Sequence, residues 1–274
     1  MSRFLAPAKI NLTLHVTGQR ADGYHLLDSL VMFADKGDRI FLTLSDKTSL
    51  QVEGRMTDGV PVDESNLMVR AARMMGVPVA MKVRKKLPNA AGLGGGSSDA
   101  AAVLTAISLM TGKPIPERAI ELGADVPVCL TRSPARMQGI GDQVTPLRGL
   151  PELETVLVNP GRPVPTEIVF KHLEKKNNPP MPEVIPSGLS AVEMTAWLAE
   201  MRNDLEGPAM DAEPVIAQVF DTLSRTPGCL LTRMSGSGGT CFGIYSDKET
   251  ARAAAGRLRE QNPAWWVTAV TLNA

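Results

Sequence analysis

Three consecutive glycines, Gly94-Gly95-Gly96, precede Ser97-Ser98-Asp99 and a long alanine-rich stretch. Glycine reaches backbone angles closed to other residues, and a ligand can approach its N–H without meeting a Cβ. Set before a helix, such a loop adds the positive end of the helix dipole, and the pair makes a phosphate site. A glycine turn with a serine cap would use the same residues. The strand-like run before the triplet and the helix-like run after it favour phosphate. The segment Pro88-Asn89-Ala90-Ala91-Gly92-Leu93-Gly94-Gly95-Gly96-Ser97-Ser98 therefore reads as a phosphate cradle.

Residue identity excludes two better-known loops. A Rossmann fingerprint needs glycine at its sixth position; counted from Gly92 that position is Ser97, and from Gly236 it is Cys241. A Walker loop needs Ser or Thr after Gly-Lys, whereas Gly112-Lys113 meets Pro114. A second glycine cluster, Ser235-Gly236-Ser237-Gly238-Gly239, is equally consistent with a tight turn between two strands.

The elements that would hold these loops follow from periodicity. Ile10 to Val16 alternates, with Ile10, Leu12, Leu14 and Val16 on an apolar face and Lys9, Asn11, Thr13 and His15 opposite, which predicts a half-buried strand. Gln19 to Gly23 breaks it as a turn. Arg39 to Leu44, Ser49 to Val52 and Val79 to Lys85 read as strands, and Asp63 to Asn66 as the start of a helix running to Met75. Asp99 to Met110 lacks Gly and Pro and predicts a helix, with Ser97, Ser98 and Asp99 able to accept from its first amides. Lys171 to Pro186 is polar and proline-bearing and predicts an exposed, mobile insert. Helices at Ser190 to Glu200, Pro214 to Leu223 and Lys248 to Gln261 alternate with strands at Cys229 to Arg233, Cys241 to Tyr245 and Trp266 to Leu272, which suggests an antiparallel sheet backed by helices.

Composition bounds the partners. Lys plus Arg equals Asp plus Glu at 29 each, so no bulk charge points to nucleic acid or an anionic membrane. No run reaches the roughly 18–20 apolar residues of a membrane span, and the N-terminus is too short for a signal segment. The three cysteines, Cys129, Cys229 and Cys241, form no CxxC pair, which argues against structural zinc or a disulfide framework and for thiols in a reducing cytoplasm.

Three segments in order resemble the GHMP kinases, which include galactokinase, homoserine kinase and mevalonate kinase. Pro7-Ala8-Lys9-Ile10-Asn11-Leu12 is similar to their first motif, Gly92 to Ala101 to the second, and Ser235 to Gly239 to the third. Arg20-Ala21-Asp22-Gly23-Tyr24-His25, Leu122 to Pro127 and Asn203-Asp204-Leu205-Glu206 look like the branch that phosphorylates the 2-hydroxyl of 4-diphosphocytidyl-2-C-methylerythritol on the non-mevalonate route to isoprenoids.

The resemblance implies an α+β chain with a ribosomal protein S5 domain 2-like N-terminal ATP-binding domain over 1–150 and a ferredoxin-like C-terminal domain over 151–274. It implies ATP and Mg²⁺ as cofactors, with Ser98 as a metal ligand and Asn66 near the adenine. Asp125 matches the family's catalytic aspartate and would take the hydroxyl proton; Lys9 matches its lysine and would stabilise that carboxylate and the developing oxyanion. Tyr24 and His25 match the residues that recognise cytosine, and Asn11, Asp125, Thr166 and Asn203 would line the rest of the acceptor site. The expected partner is a small cytidine diphosphate substrate, handled by a cytoplasmic monomer or weak homodimer. Three departures stand out. Gly239 replaces a commoner alanine, Met110 to Glu121 is short, and Met201 and Arg202 stand where many relatives carry an aromatic. Another GHMP kinase activity, such as homoserine or mevalonate kinase, and a non-catalytic nucleotide-binding regulator are the alternatives. Tyr24-His25 argues against the first, and intact Lys9 and Asp125 against the second.

Overall fold

Alternation at the N-terminus becomes strand β1 (Ser2–Asn11) in the computed structural model, which describes residues Met1 to Asn273. The strand expected over Ile10 to Val16 is interrupted: β1 stops at Asn11, and β2 spans His15–Gln19. Local side-chain bonds explain the break. Thr13 Oγ1 accepts the Leu30 N–H at 2.9 Å and Ser29 Oγ donates to the Thr13 carbonyl at 2.5 Å, so hydroxyls take the partners a continuing ladder would use. Nor is the polar face half open, because Lys9, Asn11, Thr13 and His15 are all buried.

Next along the chain come β3 (His25–Leu44), β4 (Ser49–Gly54), α1 (Leu67–Met75), β5 (Val79–Lys85) and α2 (Gly95–Thr111). A 3₁₀ turn (Glu117–Leu122) occupies the short stretch before α3 (Val126–Thr131), and β6 (Ala135–Gly139) and β7 (Gln143–Pro146) follow. The remainder is β8 (Leu153–Asn159), α4 (Thr166–His172), α5 (Ala191–Ala199), α6 (Glu206–Ala212), α7 (Val215–Ser224), β9 (Cys229–Met234), β10 (Cys241–Tyr245), α8 (Lys248–Gln261) and β11 (Trp266–Leu272).

The chain forms two compact units, each drawn from several stretches. The first comprises Met1–Lys9, Lys36–Asn89 and Gly94–Arg132. In it β5 lies antiparallel to the second half of β3 and parallel to β4, and α1 packs on α2 over a core that includes Met68, Ala72, Val83, Leu104 and Ile107. The helix expected from Asp99 starts four residues earlier, because Gly94 ends the loop in the left-handed region (φ 60°) and Gly95, Gly96 and Ser97 are already helical. Beneath that first turn lies a buried triad. Lys85 Nζ donates to Asp38 Oδ2 and, at 2.8 Å, to Asp99 Oδ2, while Asp38 Oδ1 accepts the Lys86 and Leu87 amides at 2.5 and 3.0 Å. Asp38 thus grips the end of β5 and Asp99 grips α2, so one ammonium fixes both ends of the glycine loop between them. Burial works against the Lys85 charge, but the Asp99 and Asp38 carboxylates outweigh it and hold its ammonium above the ordinary range. Burial raises Asp99.

The second unit comprises Ile10–Asp35, Ala90–Leu93 and the chain from Ser133 onward. The first half of β3 pairs with β2 and β6. From β8 on, the succession βαββαβ builds an antiparallel sheet in the order β11-β8-β10-β9, the ferredoxin-like arrangement expected. Its core includes Val156, Val158, Leu223, Tyr245 and Leu258. The insert expected to be free between Lys171 and Pro186 is anchored instead. Leu173 and Met181 are buried, the Asn178 N–H donates to the Val16 carbonyl at 3.0 Å, and the Met181 N–H donates to Asp28 at 2.9 Å. Exposed Glu174, Lys175 and Lys176 give the segment its polar composition and mask these two apolar anchors.

The triad makes a stability prediction. Lys85→Met strands two buried carboxylates and should cost about 3–5 kcal/mol, read as a lowered urea midpoint. Asp99→Asn, which leaves Lys85 paired with Asp38, should cost clearly less.

Candidate active site

Asp125 stands at the N-cap of α3 with its side chain making no cap bond. An aspartate there ordinarily bonds the helix's first amides. This carboxylate points instead to Lys9 Nζ, 2.7 Å away, with side-chain exposure of 4% for the lysine and 29% for the aspartate. A sealed cation thus faces a carboxylate still open to a substrate. Gly94 closes on the pair: a Cβ there would sit 3.2 Å from Lys9 Cβ and Cε and 3.6 Å from Asp125 Oδ2. Cys129, one helical turn beyond, is buried, and burial holds its thiol well above its usual value.

Since Gly94 provides no side-chain cap, the amides of Gly95, Gly96 and Ser97 at the start of α2 have no intrahelical acceptor. Three N–H groups on glycine-rich backbone make a concave donor set that suits phosphate oxygens. Ser98, suggested by the sequence for metal, is buried and donates its hydroxyl to the Pro7 carbonyl at 2.7 Å, which braces α2 against β1. Asn66 caps α1, accepting from the Met68 N–H at 2.8 Å and donating to the Pro61 carbonyl at 2.7 Å. Asn89 donates to the Asp58 carbonyl at 2.9 Å, just after Pro88. Among the described residues no group of three His, Cys, Asp or Glu side chains could hold a metal ion.

In the second unit the third glycine cluster is a hub. Ser235 Oγ accepts the Asn11 N–H at 3.1 Å and donates to the Gly92 carbonyl at 2.8 Å. Gly92 lies so close that a Cβ would fall 2.2 Å from the Ser235 carbonyl oxygen and 2.9 Å from that of Gly238. Here Ala91 and Gly92 meet the turn backbone to backbone. Asn203 spans the other side of the turn, donating to the Met234 and Gly236 carbonyls, each at 2.9 Å, and accepting the Leu205 N–H at 3.0 Å. Thr166 Oγ1 lies 2.8 Å from Ser237 Oγ. Asn11 Nδ2 donates to Ser29 Oγ at 2.8 Å, while its Oδ1 is buried with no protein partner. A buried acceptor left unpaired is costly, which suits a site that receives a donor from a ligand.

Tyr24 follows the Arg20–Gly23 turn and is 60% exposed, its ring free to stack. His25 stacks on Phe170 of α4, with centroids 4.4 Å apart and planes 18° apart, and its Nε2 is buried without a partner. Burial, then Lys176, lowers the His25 pKa, so the ring is neutral near pH 7. Sequence reading missed Phe170, which carries no motif and becomes visible through its stacking in space. It also missed Ser29 and the pair of Asp28 with Arg136.

The profile of the GHMP kinases N terminal domain matches residues 66–149, and that of the GHMP kinases C terminal matches residues 191–264. A 4-diphosphocytidyl-2-C-methyl-D-erythritol kinase of Cereibacter sphaeroides is 52% identical over 271 residues, covering 97% of this chain and 98% of its own length. One from Dinoroseobacter shibae is 52% identical over 268 residues, covering 97% of this chain and 93% of its own. The chain belongs to the 4-diphosphocytidyl-2-C-methyl-D-erythritol kinases of the GHMP family. A crystal structure of 4-(cytidine 5'-diphospho)-2C-methyl-D-erythritol kinase is 33% identical with a TM-score of 0.80, each chain covered in full. The homoserine kinase of Cytophaga hutchinsonii, at 19% identity and a TM-score of 0.71 over 99% of this chain and 94% of its own, shares the fold.

Two predictions follow from these contacts. Gly239 has φ 74°, and a Cβ there would meet Asn159 Nδ2 at 3.0 Å, where that amide donates to Thr240 Oγ1. Gly239→Ala should therefore cost about 1–2 kcal/mol by urea unfolding, and Asn159→Ala should recover part of the loss. The second concerns His15, which burial, then Arg202, holds below its ordinary pKa. As pH falls below about 6.5 the unfolded chain takes up a proton that the folded chain resists, so stability drops toward acid. His15→Gln should flatten the fall in urea midpoint between pH 7.5 and 5.5.

Proposed function

We propose that this chain transfers the γ-phosphoryl group of ATP to the 2-hydroxyl of 4-diphosphocytidyl-2-C-methyl-D-erythritol. The observation that carries the reading is the Lys9–Asp125 pair at 2.7 Å, closed over by Gly94 at the head of the phosphate-binding helix. Phosphoryl transfer asks a protein mainly for positioning and charge stabilisation. Asp125 accepts the acceptor hydroxyl's proton as the oxygen forms its bond to phosphorus, and the γ-phosphoryl leaves ADP. Lys9 keeps the carboxylate in place and stabilises the negative charge on the attacking oxygen.

The triphosphate rests on the amides of Gly95, Gly96 and Ser97, in the loop that runs from Pro88 through Gly94 to Ser98. A bound Mg²⁺ would supply charge neutralisation for the transferring phosphoryl group; Ser98, whose hydroxyl also braces the loop through the Pro7 carbonyl, is the residue that would hold it. Asn66 fixes the N-terminus of α1 on the adenine side. At the acceptor end, Tyr24 stacks on the cytosine, and the orphan His25 Nε2 meets its polar edge, backed by Phe170. Asn11 Oδ1 accepts from a substrate hydroxyl. Thr166 and Asn203 shape the same wall through the Ser235–Gly239 turn.

The division near residue 150 falls between β7 and β8, and the two family profiles lie on either side of it. Among the described residues no helix is long and apolar enough to cross a membrane, and the three cysteines are free thiols. Free thiols suit a reducing cytoplasm, and we propose that the enzyme acts there as a monomer or weak homodimer.

A coupled ADP-release assay with the diphosphocytidyl acceptor, homoserine and mevalonate tests the assignment; turnover restricted to the first is expected. Asp125→Asn should lower kcat by about 10²–10⁴-fold while ATP still binds, and near-normal turnover would remove Asp125 from the base role. Tyr24→Ala should raise KM for the cytidine substrate by about tenfold, the equivalent of one lost base stack, with KM for ATP unchanged.

A further inference from the structure

One half-buried ion pair holds the segment from Lys171 to Pro186. Arg136 on β6 lays its guanidinium on Asp28 of β3, Nε at 2.8 Å and Nη2 at 2.6 Å. The same guanidinium donates to three successive carbonyls of the segment, Met181 at 3.3 Å, Pro182 at 3.1 Å and Glu183 at 2.9 Å. Asp28 Oδ2 in turn accepts the Met181 N–H at 2.9 Å. The pair therefore grips main chain, through four contacts, whatever side chains the segment carries. Neighbouring contacts extend the seam. Thr13 Oγ1 donates to Met181 Sδ at 2.9 Å, His15 Nδ1 meets the Pro179 carbonyl at 3.2 Å, and Arg202 donates to that same carbonyl.

The segment begins where α4 ends. α4 has seven residues and one buried side chain, Val169, too little to hold a helix in place unaided. Its first residue is tied down through Thr166 and Ser237. Its far end leads into the segment that Arg136 and Asp28 clamp. Between these ties stands Phe170, stacked on His25, and His25 lies on the same strand as Asp28, three residues before it. A clamp at Asp28 therefore fixes the Phe170 end of the loop to the strand that presents His25. We infer that Arg136 and Asp28 are positioning residues for the nucleotide end of the acceptor, setting Phe170 against His25 and so tuning affinity for the cytidine moiety. The inference rests on the assignment of the cytosine to Tyr24 and His25. Every residue in it belongs to the second unit, whereas Lys9, Asp125 and Gly94 to Ser98 belong to the first.

The test combines steady-state kinetics on the full chain, with the diphosphocytidyl acceptor and ATP varied separately, and amide hydrogen exchange. Arg136→Met should raise KM for the acceptor about tenfold, leave KM for ATP and kcat within about twofold, and strip protection from the Met181 amide. Arg136→Lys keeps the charge but loses the two-pronged fork and should fall between, which also covers the case in which the methionine variant fails to fold. An unchanged acceptor KM with lost Met181 protection would overturn the inference. So would a parallel loss in both KM values and kcat together with a lower Tm, since that is what a purely structural pair would give. If the unmutated chain fails to turn over the cytidine acceptor, the proposed substrate falls instead. The clamp is then read by exchange, and unchanged Met181 protection in Arg136→Met would sink it.

Discussion

A lysine ammonium sealed from water must keep a negative partner within reach or give up its charge. Lys9 meets that demand with Asp125, and much of the first unit is arranged so that it can. β1 is buried on the side where the sequence suggested an open polar face. The side chain that would cap α3 is withheld from capping. Gly94 adopts a left-handed backbone that glycine tolerates, and a side chain there would press on the pair. The same economy governs the buried triad, where a second lysine anchors both ends of the glycine loop, so two buried cations fix the local geometry around Gly94.

The second unit is organised by different physics. Asn11, Asn203, Thr166 and Gly92 converge on the Ser235–Gly239 turn, where the Ser235 and Ser237 hydroxyls and the Gly236 carbonyl take up their contacts. Residues expected to touch a ligand also hold this turn in shape. Asn203 uses its amide on Met234, Gly236 and Leu205. Removing such a residue would therefore disturb binding through the frame as well as through direct contact.

The sequence made a large part of this legible. The strand at Val79 to Lys85 and the helices and strands expected from Ser190 to Leu272 stand where the residue pattern places them, whereas β8 (Leu153–Asn159) was not read from the sequence. Pairing across long separations was not legible. Nothing local marks Asp125 as the partner of Lys9, 116 residues away, and a resemblance was needed to join them. Two misreadings share a cause. Thr13 and Ser29 end β1 early through hydroxyl bonds to backbone, and Leu173 and Met181 anchor a stretch whose composition is otherwise that of a free loop. In both places a few specific contacts override the average character of the segment. Phe170 escaped notice because an aromatic on a short helix looks like ordinary packing until the fold sets it beside His25.

Gly92 meets the carbonyls of Ser235 and Gly238 with no room for a single methyl group. Where main chain touches main chain, the surface owes little to side-chain identity, and the genetic code has few ways to repaint it. The junction is accordingly poor in evolutionary options: drift at either loop is met by a backbone that cannot yield.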